Sequence, residues 1–195
     1  FQRELEFYQE NEKIHSNLLL PYQVVQFDQN TAFQSIVDQG QGLILLNAEP
    51  FFTDISQLKS LEAIQQKIIT ALDRLNELHQ LGWIHGDLKP DHFRQMDNAC
   101  KLIDFEQSFK RQSPILEINA TPHYMAPELF HGQSKSVQSD LYAFGIILYE
   151  WMAQTKLRAN SYRNWAVLQC QQLEIQHPKQ LNYFLPLLQK KKKKH

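Results

Sequence analysis

Cysteine is scarce in this 195-residue chain: only Cys100 and Cys170 are present, far apart and with no histidine at metal-ligand spacing. That leaves no basis for a disulfide framework or a zinc knuckle. Net charge is scarce as well. Twenty basic and 21 acidic residues give −1, so no global field draws the chain to nucleic acid or to an acidic membrane surface, and any electrostatic specialisation is local. No apolar run reaches the roughly 20 residues of a membrane span. Neither a signal peptide nor a lipidation motif is present. Together these absences fit a reduced cytoplasm. The sequence starts at Phe1 rather than Met, which reads as a piece of a longer protein.

What is present suits one substantial soluble domain, with 43% hydrophobic and 21% charged residues. Leu5, Phe7 and Tyr8 among Glu, Gln and Arg predict an amphipathic helix from Phe1 to about Ile14. Tyr22 to Phe27 and Phe33 to Val37 read as two strands around Asp28-Gln29-Asn30. Gly40 and Gly42 suggest a hinge before Leu43 to Asn47. Leu61, Ile64, Ile68, Leu72, Leu75 and Leu78 recur at helical steps, with Gly82 placed to stop the helix. Phe93 to Met96 and Cys100 to Ile103 can form a hairpin over Asp97-Asn98, and the nearly all-apolar run from Leu141 to Trp151 predicts a helix buried on most sides. Tyr162 to Leu173 and Leu181 to Leu188 look helical, divided by Pro178. So little sheet cannot build a doubly wound domain. The expectation is an α+β fold with a remnant of a small lobe at 1–39 (one helix and two strands), a mainly helical large lobe at 40–189 and a solvated basic tail at 190–195.

Within the large lobe, His85-Gly86-Asp87-Leu88-Lys89-Pro90-Asp91-His92 is followed, one hairpin later, by Leu102-Ile103-Asp104-Phe105-Glu106. A carboxylate on a tight loop with a Lys two residues on can orient a hydroxyl and neutralise a phosphate. A second carboxylate that ends an apolar strand is costly to bury without a cation or donor, and so can hold a metal. Asp87-Leu88-Lys89-Pro90 alone would read as an ordinary solvated turn, and Asp104 alone as a turn Asp. Their order decides against that, together with Thr121-Pro122-His123-Tyr124-Met125-Ala126-Pro127-Glu128 and Ser139-Asp140-Leu141-Tyr142-Ala143-Phe144-Gly145 downstream.

These four motifs resemble the large lobe of eukaryotic-type Ser/Thr protein kinases over nearly the whole chain. The resemblance implies a kinase-like fold, ATP and Mg²⁺ as cofactors, and a protein substrate carrying a Ser or Thr hydroxyl. It implies Asp87, Lys89 and Thr121 as catalytic residues, with Asp87 accepting the hydroxyl proton. Asp104 and His92 would bind the metal, while Asp104, His92, Lys89 and Glu4 would serve the nucleotide. Glu4 resembles the helix Glu that pairs with the ATP-binding Lys, and Glu6 competes for that role. Asp140 corresponds to the buried helix residue that holds the catalytic-loop backbone.

The pattern departs from the family in four places. No Gly-rich phosphate loop and no strand Lys precede Glu4, so the chain alone is expected to be inactive. His92 stands where the family has a metal-ligating Asn, predicting a phosphate contact or a preference for Mn²⁺ over the oxygen-loving Mg²⁺. His92-Phe93 also resembles bacterial lipopolysaccharide-core sugar kinases. Glu106 replaces the Gly of the metal triplet, losing its permissive backbone, and Arg94 falls where a Leu floors the adenine. Gly86 replaces an Arg that receives an activating phosphate, which predicts activity independent of phosphorylation at Ser113 or Thr121. A pseudokinase scaffold and a small-molecule kinase of the same fold are the competing readings.

Overall fold

The computed structural model describes residues 2–11, 18–26, 40–58, 60–113 and 119–171. Helix α1 spans Gln2–Glu10 and turns Leu5, Phe7 and Tyr8 inward. Strand β1 (Tyr22–Gln26) pairs antiparallel with β2 (Gln41–Leu45), Val24 facing Leu43 and Val25 facing Gly42. The partner of β1 is therefore the segment expected to follow a hinge. The expected strand at 33–37 lies outside the described residues, as do the expected helix at 181–188 and the basic tail. Gly42 sits inside the ladder, and the expected boundary at 39/40 falls between two paired strands.

Beyond these strands the architecture is helical, and the chain has the expected α+β fold. Short β3 (Glu49–Pro50) joins the hairpin of β5 (Phe93–Met96) and β6 (Ala99–Leu102) in a three-stranded sheet of order β3-β5-β6, and β4 (Trp83–Ile84) pairs with β7 (Phe109–Lys110). Asp97 and Asn98 turn the hairpin, both with positive φ (49° and 63°), as a two-residue turn requires and as Asp and Asn tolerate best after Gly. Phe93 faces Leu102 across the ladder. The two chain segments leaving the hairpin, towards His92 and towards Asp104, are thus side by side.

Helix α2 (Leu61–Gln80) starts on a Ser60 side chain that accepts from the Ala63 amide, and ends at Gly82, which takes φ +83°. Ile68, Leu75 and Leu78 are buried on its inner face as the spacing predicts, joined by Ala71, while Ile64 and Leu72 are partly buried and Leu61 is exposed. Helix α4 (Val137–Ala153) opens on a reciprocal Ser136/Ser139 cap and is buried along most of its length. Short α3 (Pro127–Phe130) and α5 (Tyr162–Cys170) complete the described chain. One continuous core joins Phe7 and Tyr8 of α1, Leu75 and Leu78 of α2, Phe93 and Leu102 of the hairpin, and Phe144 and Ile147 of α4. Among the described residues no helix is long and apolar enough to cross a membrane.

Candidate active site

The loop that carries Asp87 hangs from Asp140, on the first turn of α4 and 2% exposed. Its two carboxylate oxygens accept from the backbone amides of His85 and Gly86, each at 2.9 Å, and His79 at the end of α2 reaches the same carboxylate at 2.9 Å. A buried carboxylate is costly unless its lone pairs are filled. Here they are filled by the backbone of the loop that must be held. The Ser108 hydroxyl adds a bond to the His85 carbonyl at 3.1 Å.

Pinned in this way, the loop presents Asp87 to Lys89 and to the segment before α3. The Lys89 ammonium lies 2.8 Å from Asp87 Oδ2, and the Thr121 amide donates to Asp87 Oδ1 at 2.7 Å. Burial pushes the Asp87 pKa up, but the Lys89 and Thr121 bonds outweigh it, and the net shift is downward. Asp87 is ionised at neutral pH. It is a weak base with oxygen lone pairs aimed at a cleft shared with Lys89 and Thr121, and the structure brings these three predicted residues together.

The second carboxylate lies across the hairpin. Asp104 takes φ +64°, in the left-handed region that Asp tolerates better than most residues. Its Oδ2 is 3.0 Å from His92 Nε2. This bond, with burial opposing it, draws the Asp104 pKa down to about 2. His92 is 5% exposed, stacks on His85 at 5.3 Å, and leaves its Nδ1 buried with no partner among the described residues. Since Nε2 is the atom facing Asp104, it cannot at once donate to that carboxylate and offer a lone pair to a cation. Glu106 does not take positive φ. The backbone freedom of the family's Gly is not needed at that position, and the expected cost of the replacement does not arise.

Glu4, not Glu6, reaches the site: its Oε1 accepts from the Phe105 amide at 3.2 Å, whereas Glu6 is exposed. Burial raises the Glu4 pKa, and the Phe105 amide partly offsets the rise. Behind Phe105 runs an aromatic column in which Phe7 stacks on Phe105 at 3.8 Å, with Tyr8 at 5.7 Å and His85 at 5.4 Å. Burial and the neighbouring His92 lower the His85 pKa to about 4, keeping the ring neutral. Arg94 lies in β5 opposite Lys101 and Pro50, half-buried.

A family model described as "protein kinase domain" matches residues 1–191. The chain belongs to the protein kinase family. Among curated proteins, the kinase chain is 27% identical over 143 residues to the serine/threonine-protein kinase ppk34 of Schizosaccharomyces pombe, covering 69% of this chain and 39% of that one. It is 40% identical over 76 residues to a cGMP-dependent protein kinase of Toxoplasma gondii, covering 38% and 8% respectively. The serine/threonine-protein kinase RUNKEL of Arabidopsis thaliana is 44% identical over 82 residues, covering 39% and 6%. The chain thus spans well under half the length of these relatives.

Two supports of the kinase loop were not among the predicted site residues. His79 is the last basic residue of an amphipathic helix, and Ser108 follows Asp104-Phe105-Glu106 by two residues. Neither carries a local sequence signal, because each acts through a fold contact 23 or 61 residues away in the chain.

Proposed function

We propose that this chain is the alcohol-side and cation-side half of a Ser/Thr protein kinase that moves the ATP γ-phosphate to a protein hydroxyl. The reading is carried by Asp87, bonded on one oxygen by Lys89 and on the other by Thr121, on a loop whose backbone Asp140 holds. Phosphoryl transfer has a loose transition state, so positioning and charge stabilisation matter more than a strong base. A carboxylate held below its ordinary pKa fits this: it orients the incoming hydroxyl and accepts its proton late. Lys89 reaches the same point and neutralises charge on the transferred group. Thr121 fixes the platform on which the acceptor peptide lies.

The donor set also fits a nucleotide-bound cation. Among the described residues no three His, Cys, Asp or Glu form a metal cluster, and Mg²⁺ is usually held by one or two carboxylates with phosphate oxygens supplying the rest. Asp104 is that carboxylate, and His92 orients it. When bound, the metal with ATP supplies the electrophilic phosphoryl group and screens its charge. Glu4 and the Phe105 amide hold the strand end that carries Asp104.

A binding-only module is the second reading, favoured by the His92–Asp104 bond, which competes with a cation for one oxygen. Incubating the full-length protein with γ-labelled ATP, in Mg²⁺ and in Mn²⁺, against a Ser/Thr peptide library and a panel of sugars separates the two. Label on peptide hydroxyls, lost in Asp87→Asn, is the expected result. Nucleotide binding without transfer in either metal would establish the module instead, and label on a sugar acceptor alone would move the activity to small molecules.

A further inference from the structure

Gly86 takes φ +81°, and a Cβ there would meet the Gln107 carbonyl oxygen at 2.6 Å, Lys135 Cδ at 3.2 Å and Lys135 Nζ at 3.4 Å. A side chain at residue 86 would therefore be strained and crowded, and the crowding comes partly from a lysine. Lys135 precedes the cap of α4 and is only 6% exposed. Lysines are rarely buried so deeply without a partner. Its ammonium donates to the Asn119 carbonyl at 2.7 Å. Burial lowers the Lys135 pKa, while the Asp87 and Asp140 carboxylates act to keep the charge on it and Arg3 of α1 acts against it. Only Ala120 separates the Asn119 carbonyl from the Thr121 amide that bonds Asp87.

We propose that Lys135 is a positioning residue: seated over Gly86, its ammonium holds the Asn119 carbonyl and so keeps Thr121 against Asp87 without a phosphate on the activation segment. The chain replaces a switchable contact with a permanent one. From Asp104 to Glu128 the hydroxyls are Ser108, Ser113, Thr121 and Tyr124. Ser108 is 1% and Tyr124 9% exposed, while Ser113 is exposed, so Ser113 is the accessible site outside the Asp87 contact at which a phosphate would reveal a switch. The inference rests on the proposed role of Asp87 and deepens it.

The test compares wild-type full-length protein with Lys135→Met, which keeps the stem and removes the charge, and with Lys135→Arg. Expected for the Met variant are faster hydrogen exchange at the Thr121 amide with α2 and α4 protection retained, kcat lower by on the order of tenfold, and KM for ATP within about twofold. Lys135→Arg should restore both readouts in part. Unchanged Thr121 exchange in Lys135→Met overturns the proposal. If the Met variant does not fold, Lys135→Gln is read by the same exchange comparison and the same outcome overturns it. Ser113→Ala should keep wild-type activity, and a several-fold rise on phosphorylating Ser113 would contradict a permanent tether. A wild type that transfers no phosphate defeats the proposed function, yet leaves the exchange comparison to decide the tether by itself.

Discussion

The two carboxylates of the cleft are held in opposite styles. Asp87 belongs to a loop tied down by backbone bonds from a helix far along the chain, and every residue around it follows the family pattern except Gly86, where Lys135 fills the space. Asp104 belongs to a hairpin exit, its main partner is the side chain of His92, and the residues about it depart from the pattern at three positions: 92, 94 and 106. The Asp87 end is built on backbone bonds, whereas the Asp104 end is built on side chains. On the roles proposed above, the first is the alcohol end and the second, the cation end, is where metal or nucleotide handling has room to differ.

The largest expected effect sits at the alcohol end. Asp87→Asn should lower kcat of the full-length protein by about two to four decades with KM for ATP little changed. A loss under tenfold would break the contrast, since the strongly held end would then matter no more than the other. Next, Asp140→Ala leaves the His85 and Gly86 amides unpartnered in a buried site. At about 1–3 kcal/mol per orphaned group, urea denaturation should show a loss of roughly 2–5 kcal/mol. A loss below about 1 kcal/mol would mean that water replaces the carboxylate.

Stability should also fall with acid because of His85. Its folded pKa of about 4 lies below the ordinary 6.5, so between these values the unfolded chain binds more protons. Stability is complete above pH 6.5 and declines towards pH 4, by about 3 kcal/mol from this group. Urea midpoints across that range check it, and His85→Phe should flatten the slope. The smallest effect is at the cation end: His92→Ala should weaken Mg²⁺–nucleotide binding by about 10- to 100-fold, as losing an orienting partner does. Equal affinity in Mg²⁺ and Mn²⁺, unchanged by the substitution, would show that His92 neither orients nor selects.

Much of the alcohol end was legible in the sequence because its residues are close in the chain or sit at the motif's spacing: Asp87 with Lys89, Thr121 before Glu128, Asp140 in an unmistakably buried helix. Helix α2 was legible for its periodicity and the β5–β6 hairpin for its Asp-Asn turn. The His92–Asp104 bond could have been read from that turn. A two-residue loop at 97–98 sets Phe93 against Leu102, which leaves His92 and Asp104 flanking the open end. Strand pairing was harder. Gly42 looked like an interruption, yet it lies inside the ladder opposite Val25. Lys135 was not legible at all. Before a capping Ser it looks like any solvated lysine, and only the closed fold reveals that Gly86 makes room for it.

The aromatic column through Phe7, Phe105 and His85 has a consequence for how the molecule comes apart. The first helix contributes its two largest side chains, both fully buried, to the same packed interior that α4 fills from the far end. Among the described residues, a single hydrophobic cluster holds both shares. Pulling α1 away does not detach a module; it opens the interior beside Asp104, so the helix and the lobe behind it melt as one cooperative unit.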